Sequence, residues 1–265
     1  MLDRDPPILI ACRDRVSSLI ELVRWLEDAG HQRIILVDND SSYEPLLEYY
    51  EATPHTVVRL GQNIGPHQFW AAGVVDEHAS GERFVLTDPD VVPCSTCPAD
   101  ALAFFDDLLD RYPDRAKVGF GLRIDDLPAR YQHREAVWAW ERPFWTDEKE
   151  PGVYDAPIDT TFALYREGEA AFRAAPALRT GGLYVARHMP WYSDLASPSA
   201  EDVCYHERYL ASRQLSAGVK TTWNDRRLPH RLRVAAGDAK PRSRSYIARG
   251  ARYVRRGFRK DYSGY

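Results

Sequence analysis

The sequence lacks any long apolar run. No stretch approaches the roughly 18 uncharged apolar residues that a membrane-spanning helix requires, so no transmembrane helix is expected. The amino end, MLDRDPP, contains no apolar signal region. We therefore expect a cytoplasmic protein.

Cysteine is also scarce. The four cysteines, Cys12, Cys94, Cys97 and Cys204, are expected to be free thiols in a reducing compartment. Cys94 and Cys97 have the C-x-x-C spacing, but a structural zinc site needs a second ligand pair at a recognisable spacing, and none is evident. Small buried residues are therefore a better interpretation of this pair than a zinc or redox site.

A general excess of basic charge is missing as well. The formal net charge is −4, and nine of the 35 Lys and Arg residues lie within 240–260, a stretch without an acidic residue. Only 26 basic residues therefore accompany 39 acidic ones in the rest of the chain. This distribution disfavours a uniformly basic nucleic-acid-binding protein.

The first half of the sequence instead shows a regular alternation of apolar runs and helical periodicity. Short apolar runs over 8–12, 33–37, 56–60 and 84–86 predict strands, and the segments between them predict helices. Such alternation is typical of βαβ units, and hence of an α/β fold with a mostly parallel open sheet flanked by helices.

The second half is less regular. Its tryptophan-rich segment has neither helical nor strand periodicity. Paired glycines interrupt the chain after that segment. The predicted elements are strands over 117–122, 158–166 and 219–223, helices over 99–111 and from 199 to about 216, and irregular or loop segments over 130–158, Gly181–Gly182 and Arg187–Tyr192.

Charged and polar side chains follow each strand of the first half. Because ligands bind at the carboxyl ends of the strands in open α/β sheets, these loops predict a binding site. Asp88 and Asp90 would repel each other unless a cation lay between them, and their oxygens suit Mg²⁺ or Mn²⁺. An ordinary Asp-Pro-Asp turn is the alternative. The four loops are Arg13-Asp14-Arg15, Asp38-Asn39-Asp40, Asn63-Ile64-Gly65 and Asp88-Pro89-Asp90.

The order of these segments resembles the inverting glycosyltransferases of family 2, which have the GT-A fold. The similarity covers about residues 6–222 and depends on six short motifs in the expected order. They are the first strand with its Arg-containing loop, Ile35–Ser42, Asn63-Ile64-Gly65 with Ala71-Ala72-Gly73, Thr87–Asp90, Phe162–Arg166 and Glu201-Asp202.

The resemblance implies a GT-A type nucleotide-diphospho-sugar transferase domain over 1–239. Residues 1–115 would form its nucleotide-binding half and 116–239 its acceptor half. The implied enzyme, a hexosyltransferase, moves a sugar from a nucleotide-sugar, most often a UDP-sugar, to a hydroxyl of a glycan or lipid-linked acceptor in cell-envelope polysaccharide assembly. The implied cofactor is Mg²⁺ or Mn²⁺.

The resemblance also implies roles for individual residues. Asp90 would bind the metal with help from Asp88, and His230 is a candidate third ligand. Asp202 would take the acceptor proton as general base, and Glu201 would support it. The residues implied in donor binding are Ala11, Arg13, Arg15, Asp38, Asp40, Asn63, Gly65, Thr87 and Asp88. Aromatic, acidic and basic residues that suit sugar recognition place the acceptor at Asp159, Arg187, His188 and Trp191, although a tryptophan core is an alternative.

Several alternatives stay open. The segment Ser199–Asp202 also has the pattern of an ordinary helix start, where acids are favoured by the helix dipole. His67, Gln68, Phe69 and Trp70 stand where the family usually has a basic residue. A retaining glycosyltransferase, a nucleotidyltransferase on a related fold, and a non-catalytic sugar-nucleotide-binding subunit are the other functions compatible with the sequence.

The carboxyl-terminal tail, 240–265, predicts a basic amphipathic helix. From Tyr246 onward, Ile247, Val254 and Phe258 would share one face and five arginines the other. Such a helix is typical of a peripheral element on an anionic membrane surface, here the inner face of the membrane. Packing on the acidic body of the protein or on a partner subunit is the alternative.

Overall fold

A computed structural model describes residues 5–65, 69–70, 72–159, 161–168, 175–194 and 196–215. The predicted strand 219–223, the tail 240–265, His230, His67 and Gln68 lie outside these described residues. Within them, no helix is long and apolar enough to cross a membrane.

The first half of the chain forms the predicted alternation of strands and helices. The elements are β1 (Ile8–Cys12), α1 (Ser17–Asp28), β2 (Ile34–Asp38), α2 (Glu44–Ala52), β3 (Thr56–Arg59), α3 (Val74–Ala79) and β4 (Phe84–Thr87).

The second half adds shorter strands, two turns of 3₁₀ helix and three further α-helices. The elements are β5 (Val91–Pro93), α4 (Ala101–Arg111), β6 (Lys117–Leu122), α5 (Arg134–Glu141), a 3₁₀ turn (Arg142–Trp145), β7 (Glu148–Glu150), β8 (Val153–Asp155), β9 (Ala163–Tyr165), β10 (Ala177–His188), a second 3₁₀ turn (Met189–Tyr192) and α6 (Ala200–Leu215).

All ten described strands join one sheet in the order β3-β2-β1-β4-β9-β6-β10-β8-β7, and β5 pairs with β10 at the side. Strands β3, β2, β1 and β4 are mutually parallel, whereas β9 runs against both β4 and β6. Strand β10 is parallel to β6 again. The predicted class, a mixed α/β fold with a mostly parallel sheet flanked by helices, is confirmed.

Two predictions for the second half are wrong. The loop predicted at Gly181–Gly182 lies within β10, which pairs with β6 on both sides of a register shift between Thr180 and Val185. Of the loop predicted at Arg187–Tyr192, Arg187 and His188 belong to β10, whereas Met189–Tyr192 form the second 3₁₀ turn. The bulge accommodates the glycines, and Gly182 has a left-handed φ of 64°. The segment 130–158, predicted to be irregular, contains α5 and the β7–β8 hairpin. Trp145 packs edge-on against Tyr154 of β8, a contact between elements that local periodicity does not reveal.

Alternate residues of the strands face two separate apolar layers. Ile8 and Ile10 belong to a core with Leu22 of α1 and Phe105 of α4. Leu9 belongs to a second core, together with residues of α3 such as Val74. Because a parallel sheet covered on both faces is buried throughout, its strands are apolar and leave polar groups to the ends.

The close approach of β6 and β9 provides a test of the sheet. A Cβ at Gly119 would collide with the carbonyl oxygen of Phe162 and would lie 2.9 Å from the Cα of Ala163. We expect Gly119→Ala to lower the free energy of unfolding by about 3 kcal/mol, measured by chemical denaturation. Gly81→Ala is the matched control, because Gly81 has φ +74° but no atom within 4 Å of the added carbon. Its backbone strain should cost only about 1 kcal/mol, and equal losses in the two variants would contradict the packing.

Candidate functional site

The polar loops after β1, β2 and β4 meet at one edge of the sheet. Cys12 pairs with Asp38 across β1 and β2, and Ile10 pairs with Thr87 across β1 and β4. The loops that follow these strands are therefore neighbours, as predicted from the sequence. Strand β10 ends at the same place, because His188 pairs with Val91, the residue after Asp90.

Arg15 connects this edge to helix α6. Its Nη1 donates to Oδ1 of Asp202 at 2.7 Å, and its guanidinium lies 4.3 Å from the centre of the Tyr205 ring. Burial alone would lower the pKa of Arg15, but attraction by Asp90, Tyr205 and Asp202 raises it. A nearly buried cation thus lies among acids from two distant parts of the chain.

Asp202 is fixed by the start of its own helix as well as by Arg15. Its Oδ2 accepts hydrogen bonds from the backbone N–H of Ser199 at 3.2 Å and from the Ser199 hydroxyl at 2.8 Å. The hydroxyl of Ser199 in turn accepts from the N–H of Asp202 at 3.1 Å, so the pair forms a capping box. Burial would raise the pKa of Asp202, but the bonds from Arg15 and Ser199 hold it below its usual value.

Glu201, the neighbour of Asp202 in the sequence, contacts the start of α1. Its Oε2 accepts from the backbone N–H groups of Val16 and Ser17 at 3.1 and 2.9 Å, and from the Ser17 hydroxyl at 2.9 Å. A carboxylate at this position satisfies free N–H groups and the positive end of the helix dipole. The contacts make Glu201 an anchor between α6 and α1, and its implied support of catalysis stays a prediction.

His188 lies beside the carboxylate pair. Its Nε2 is 3.8 Å from Oδ1 of Asp90, and its ring packs edge-on against Trp191 with 4.8 Å between centroids. Burial lowers the pKa of His188 against the raising influence of Asp90 and Asp159. Nδ1 of His188 and Nε1 of Trp191 are buried without a hydrogen-bond partner. One predicted acceptor residue, His188, thus lies next to the predicted metal ligand, and a second, Trp191, packs against it.

The carboxylates of Asp88 and Asp90 suit a divalent cation that takes its remaining ligands from a substrate. Among the described residues, no group of three or more His, Cys, Asp or Glu side chains is arranged to hold a metal. Asp88 and Asp90 nevertheless provide carboxylate oxygens at a site edge, and Mg²⁺ typically uses one or two carboxylates together with substrate phosphates. The two aspartates are therefore compatible with such an ion.

The loops after β2 and β3 are bound to each other. Asp38 is buried and accepts from the N–H of Ser41 at 3.2 Å and the Tyr50 hydroxyl at 3.1 Å. The side-chain N–H of Asn39 donates to Asn63 at 3.1 Å, and its oxygen accepts from the N–H of Ile64 at 2.9 Å. Asn39 lies inside a predicted motif, but its bridging role is not evident from the sequence.

Other predicted residues are spread around this edge. Thr87 is fully buried and its hydroxyl donates to the carbonyl of Asp88 at 2.9 Å. Arg187 bonds to Asp126 through Nε at 2.9 Å and through Nη2. Because successive side chains of a strand point to opposite faces, Arg187 and His188 of β10 do not line the same site. Ala11 lies within β1, Arg13, Asp40 and Gly65 lie in the edge loops, and Asp159 is exposed.

Tyr205 and Asp14 are functional candidates that were not among the predicted site residues. Burial raises the pKa of Tyr205 to about 12, against the lowering influence of Arg15 and with a contribution from Asp90. Tyr205 is four residues after Glu201, a spacing that places both on one face of α6. Asp14 is fully buried. Its neighbours in the sequence are two arginines, and from this pattern a buried acid cannot be distinguished from one at the surface.

No protein-family model matches this sequence, and no curated protein matches it significantly. Solved structures with a similar shape include the mannosyltransferase PcManGT from Pyrobaculum calidifontis in complex with GDP-Man and Mn²⁺. Its sequence identity is 14% and its TM-score 0.47, over 94% of this chain and 87% of that chain. Glucosyl-3-phosphoglycerate synthase from Mycobacterium tuberculosis is 12% identical, with a TM-score of 0.39, over 62% of this chain and 57% of that chain. A cytidylyltransferase from Leptospira borgpetersenii is 15% identical, with a TM-score of 0.33, over 48% of this chain and 57% of that chain. All three TM-scores lie below 0.5, so no functional conclusion depends on them.

The Arg15–Asp202 pair predicts a pH-dependent contribution to stability. At pH 7, Asp202→Asn should lower the free energy of unfolding by roughly 2 kcal/mol, because a charge-assisted bond to a buried arginine is lost. The folded pKa of Asp202 is depressed, so this contribution is present above the unfolded pKa of about 3.9 and disappears as pH falls through the folded value.

Denaturant titrations of wild type and variant at pH 7 and near pH 3 measure this difference. Asp107→Asn is the control, because Asp107 pairs with Arg111 on an exposed helix surface and should contribute little at either pH. A wild-type advantage over Asp202→Asn that is the same at both pH values would contradict the ion pair.

Proposed function

We propose that this protein is a divalent-metal-dependent inverting glycosyltransferase of hexosyltransferase type that uses a nucleotide-sugar, with UDP-sugars as the first candidates. The observation that supports this most strongly is the Arg15–Asp202 contact, which joins residues 187 positions apart at 2.7 Å. It brings the candidate general base to the sheet edge that carries Asp88 and Asp90. This is the pairing that a sugar transfer needs, since one group must receive a proton where a diphosphate departs.

Asp90, assisted by Asp88, would hold Mg²⁺ or Mn²⁺. When bound, such an ion offsets the negative charge that develops on a nucleoside diphosphate leaving group. The predicted third ligand, His230, lies outside the described residues and remains a sequence-based proposal.

Asp202 would accept the proton of the acceptor hydroxyl at a carboxylate oxygen. Its capping bonds with Ser199 fix its orientation, and its lowered pKa keeps it ionised at neutral pH. Pairing with Arg15 also makes Asp202 a weaker base. We expect a bound diphosphate to attract the Arg15 guanidinium, because charge-assisted bonds to phosphate are strong, and so to restore the basicity of Asp202.

The remaining edge residues would surround the donor and the acceptor. The linked loops of Asp38, Asp40, Asn63 and Gly65 would bind the base and ribose, together with Ala11, Arg13 and Thr87. His188, Trp191 and Asp159 would contact the acceptor, whereas Arg187 would support that region through Asp126. A glycan or lipid-linked saccharide is the proposed acceptor class.

Titration calorimetry and donor hydrolysis together test this function. Wild type should bind UDP or another nucleoside diphosphate more tightly with Mn²⁺ than without it. Asp90→Asn should lose that metal-dependent gain, because a carboxylate ligand is removed. Asp202→Asn should keep nucleotide binding within a few-fold but lose at least about 100-fold in the rate of UDP-sugar turnover, the usual effect of removing a general base.

Three results would contradict the proposal in different ways. Release of pyrophosphate from a sugar phosphate and a nucleoside triphosphate would indicate a nucleotidyltransferase. A product that retains the donor's anomeric configuration, assigned by NMR, would exclude inversion. Nucleotide binding without turnover of any UDP-sugar or GDP-sugar would indicate a non-catalytic binding subunit.

The basic tail, 240–265, would hold the enzyme at an anionic membrane surface. Flotation with vesicles that contain phosphatidylserine should recover the full chain but not a chain truncated after residue 239, and added salt should weaken the recovery. Neutral vesicles are the control. Equal flotation of the two chains would indicate that the tail packs on protein instead.

A further inference from the structure

One face of α6 lies across the carboxyl edge of β1 and β2. Glu201, Tyr205 and Arg208 are spaced four and three residues apart and so project from the same side of the helix. Glu201 binds the start of α1, and Tyr205 lies under the Arg15 guanidinium. Arg208, the third of these residues, contacts the loops that follow β1 and β2.

Arg208 contacts both of these loops. Its Nη2 donates to the backbone carbonyl of Asp40 at 2.5 Å and to Oδ2 of the same residue at 3.1 Å. Its Nε lies 3.6 Å from Oδ2 of Asp14. A single guanidinium thus joins the loop after β1 to the loop after β2.

The two residues that Arg208 contacts share an unusual backbone conformation. Asp14 has φ 47° and Asp40 has φ 66°, and they are the two non-glycine residues with positive φ in the described part of the chain. Left-handed conformations at non-glycine residues persist where surrounding contacts hold them, and they concentrate at functional sites.

The same loops are held by further bonds. Oδ1 of Asp14 accepts from the N–H groups of Ser42 and Tyr43 at 2.7 and 3.0 Å, and the N–H of Asp14 donates to the Ser41 hydroxyl at 3.1 Å. Oδ2 of Asp14 is buried and has no hydrogen bond. The nearby charge of Arg208 is therefore the contact that compensates this oxygen.

The loops after β1 and β2 also carry several acidic side chains. Asp14, Asp38 and Asp40 place three carboxyl groups at the edge where the proposed donor, itself an anion, would lie. Binding an anion beside acids costs free energy unless cations offset them. Arg208 supplies such a charge from the helix that carries the candidate base.

We propose that Arg208 is a positioning residue for nucleotide binding: it fixes the loops after β1 and β2 in their left-handed conformations and offsets their acidic charge. This inference depends on the proposed function. It makes α6 a shared element, since one helix would orient the base, Asp202, at its start and the nucleotide-binding loops two turns later.

Titration calorimetry with UDP, GDP, CDP and ADP, each with Mn²⁺, tests the role of Arg208. For the diphosphate that wild type binds, Arg208→Gln should raise Kd about tenfold or more, the equivalent of one lost charge-assisted hydrogen bond. Arg208→Lys keeps the charge but not the forked geometry, so it should restore only part of the affinity. Arg33→Gln is the matched control, because Arg33 forms a two-bond pair with Glu82 before β2 and should leave Kd unchanged.

The possible outcomes distinguish a failure of the role proposed for Arg208 from a failure of the proposed function. Wild-type Kd in Arg208→Gln, or full restoration of Kd by Arg208→Lys, would overturn the positioning role while leaving the proposed function intact. If wild type binds none of the four diphosphates, the proposed function fails and this inference with it. Melting temperatures without ligand identify a variant that is unfolded. If Arg208→Gln is unfolded, the partial loss expected in Arg208→Lys decides the question alone.

Discussion

The buried guanidinium of Arg15 is the group on which the arrangement of the sheet edge depends. A buried cation is costly unless it is paired, and its partners come from separate parts of the chain: Asp202 bonds to it directly, and Asp90 attracts it electrostatically. Helix α6 and the loop after β4 must therefore both be in place for Arg15 to be stable there. The same requirement brings together the two acids that the proposed chemistry uses.

Helix α6 shows that capping and function can share the same side chains. Asp202 completes a capping box with Ser199 and also pairs with Arg15, while Glu201 caps α1 rather than its own helix. Because these bonds rigidify the start of α6, they would also preorganise a general base at that point. An ordinary helix start and a catalytic position are therefore compatible interpretations of Ser199–Asp202.

The sequence was most informative where local pattern and tertiary role coincide. In 8–87, β1, β2 and β4 are apolar because the sheet is covered on both faces there, and the loops that follow them are polar because they lie at the site edge. It was least informative around β10, where Gly181 and Gly182 suggest a loop. Pairing with β6 on both sides of a bulge overrides that local preference, and no local periodicity reveals such a partner.

The α/β class, the polar strand ends and the aspartates that follow β4 can be predicted from the amino-acid sequence alone. These follow from short-range periodicity and from residue chemistry. Which charged groups contact each other depends instead on the tertiary structure. Glu201 binds α1 whereas its neighbour Asp202 binds Arg15, and His188 faces Asp90 whereas its neighbour Arg187 binds Asp126. Adjacent residues point in different directions from a helix or a strand, so their partners depend on long-range packing that the local sequence does not encode.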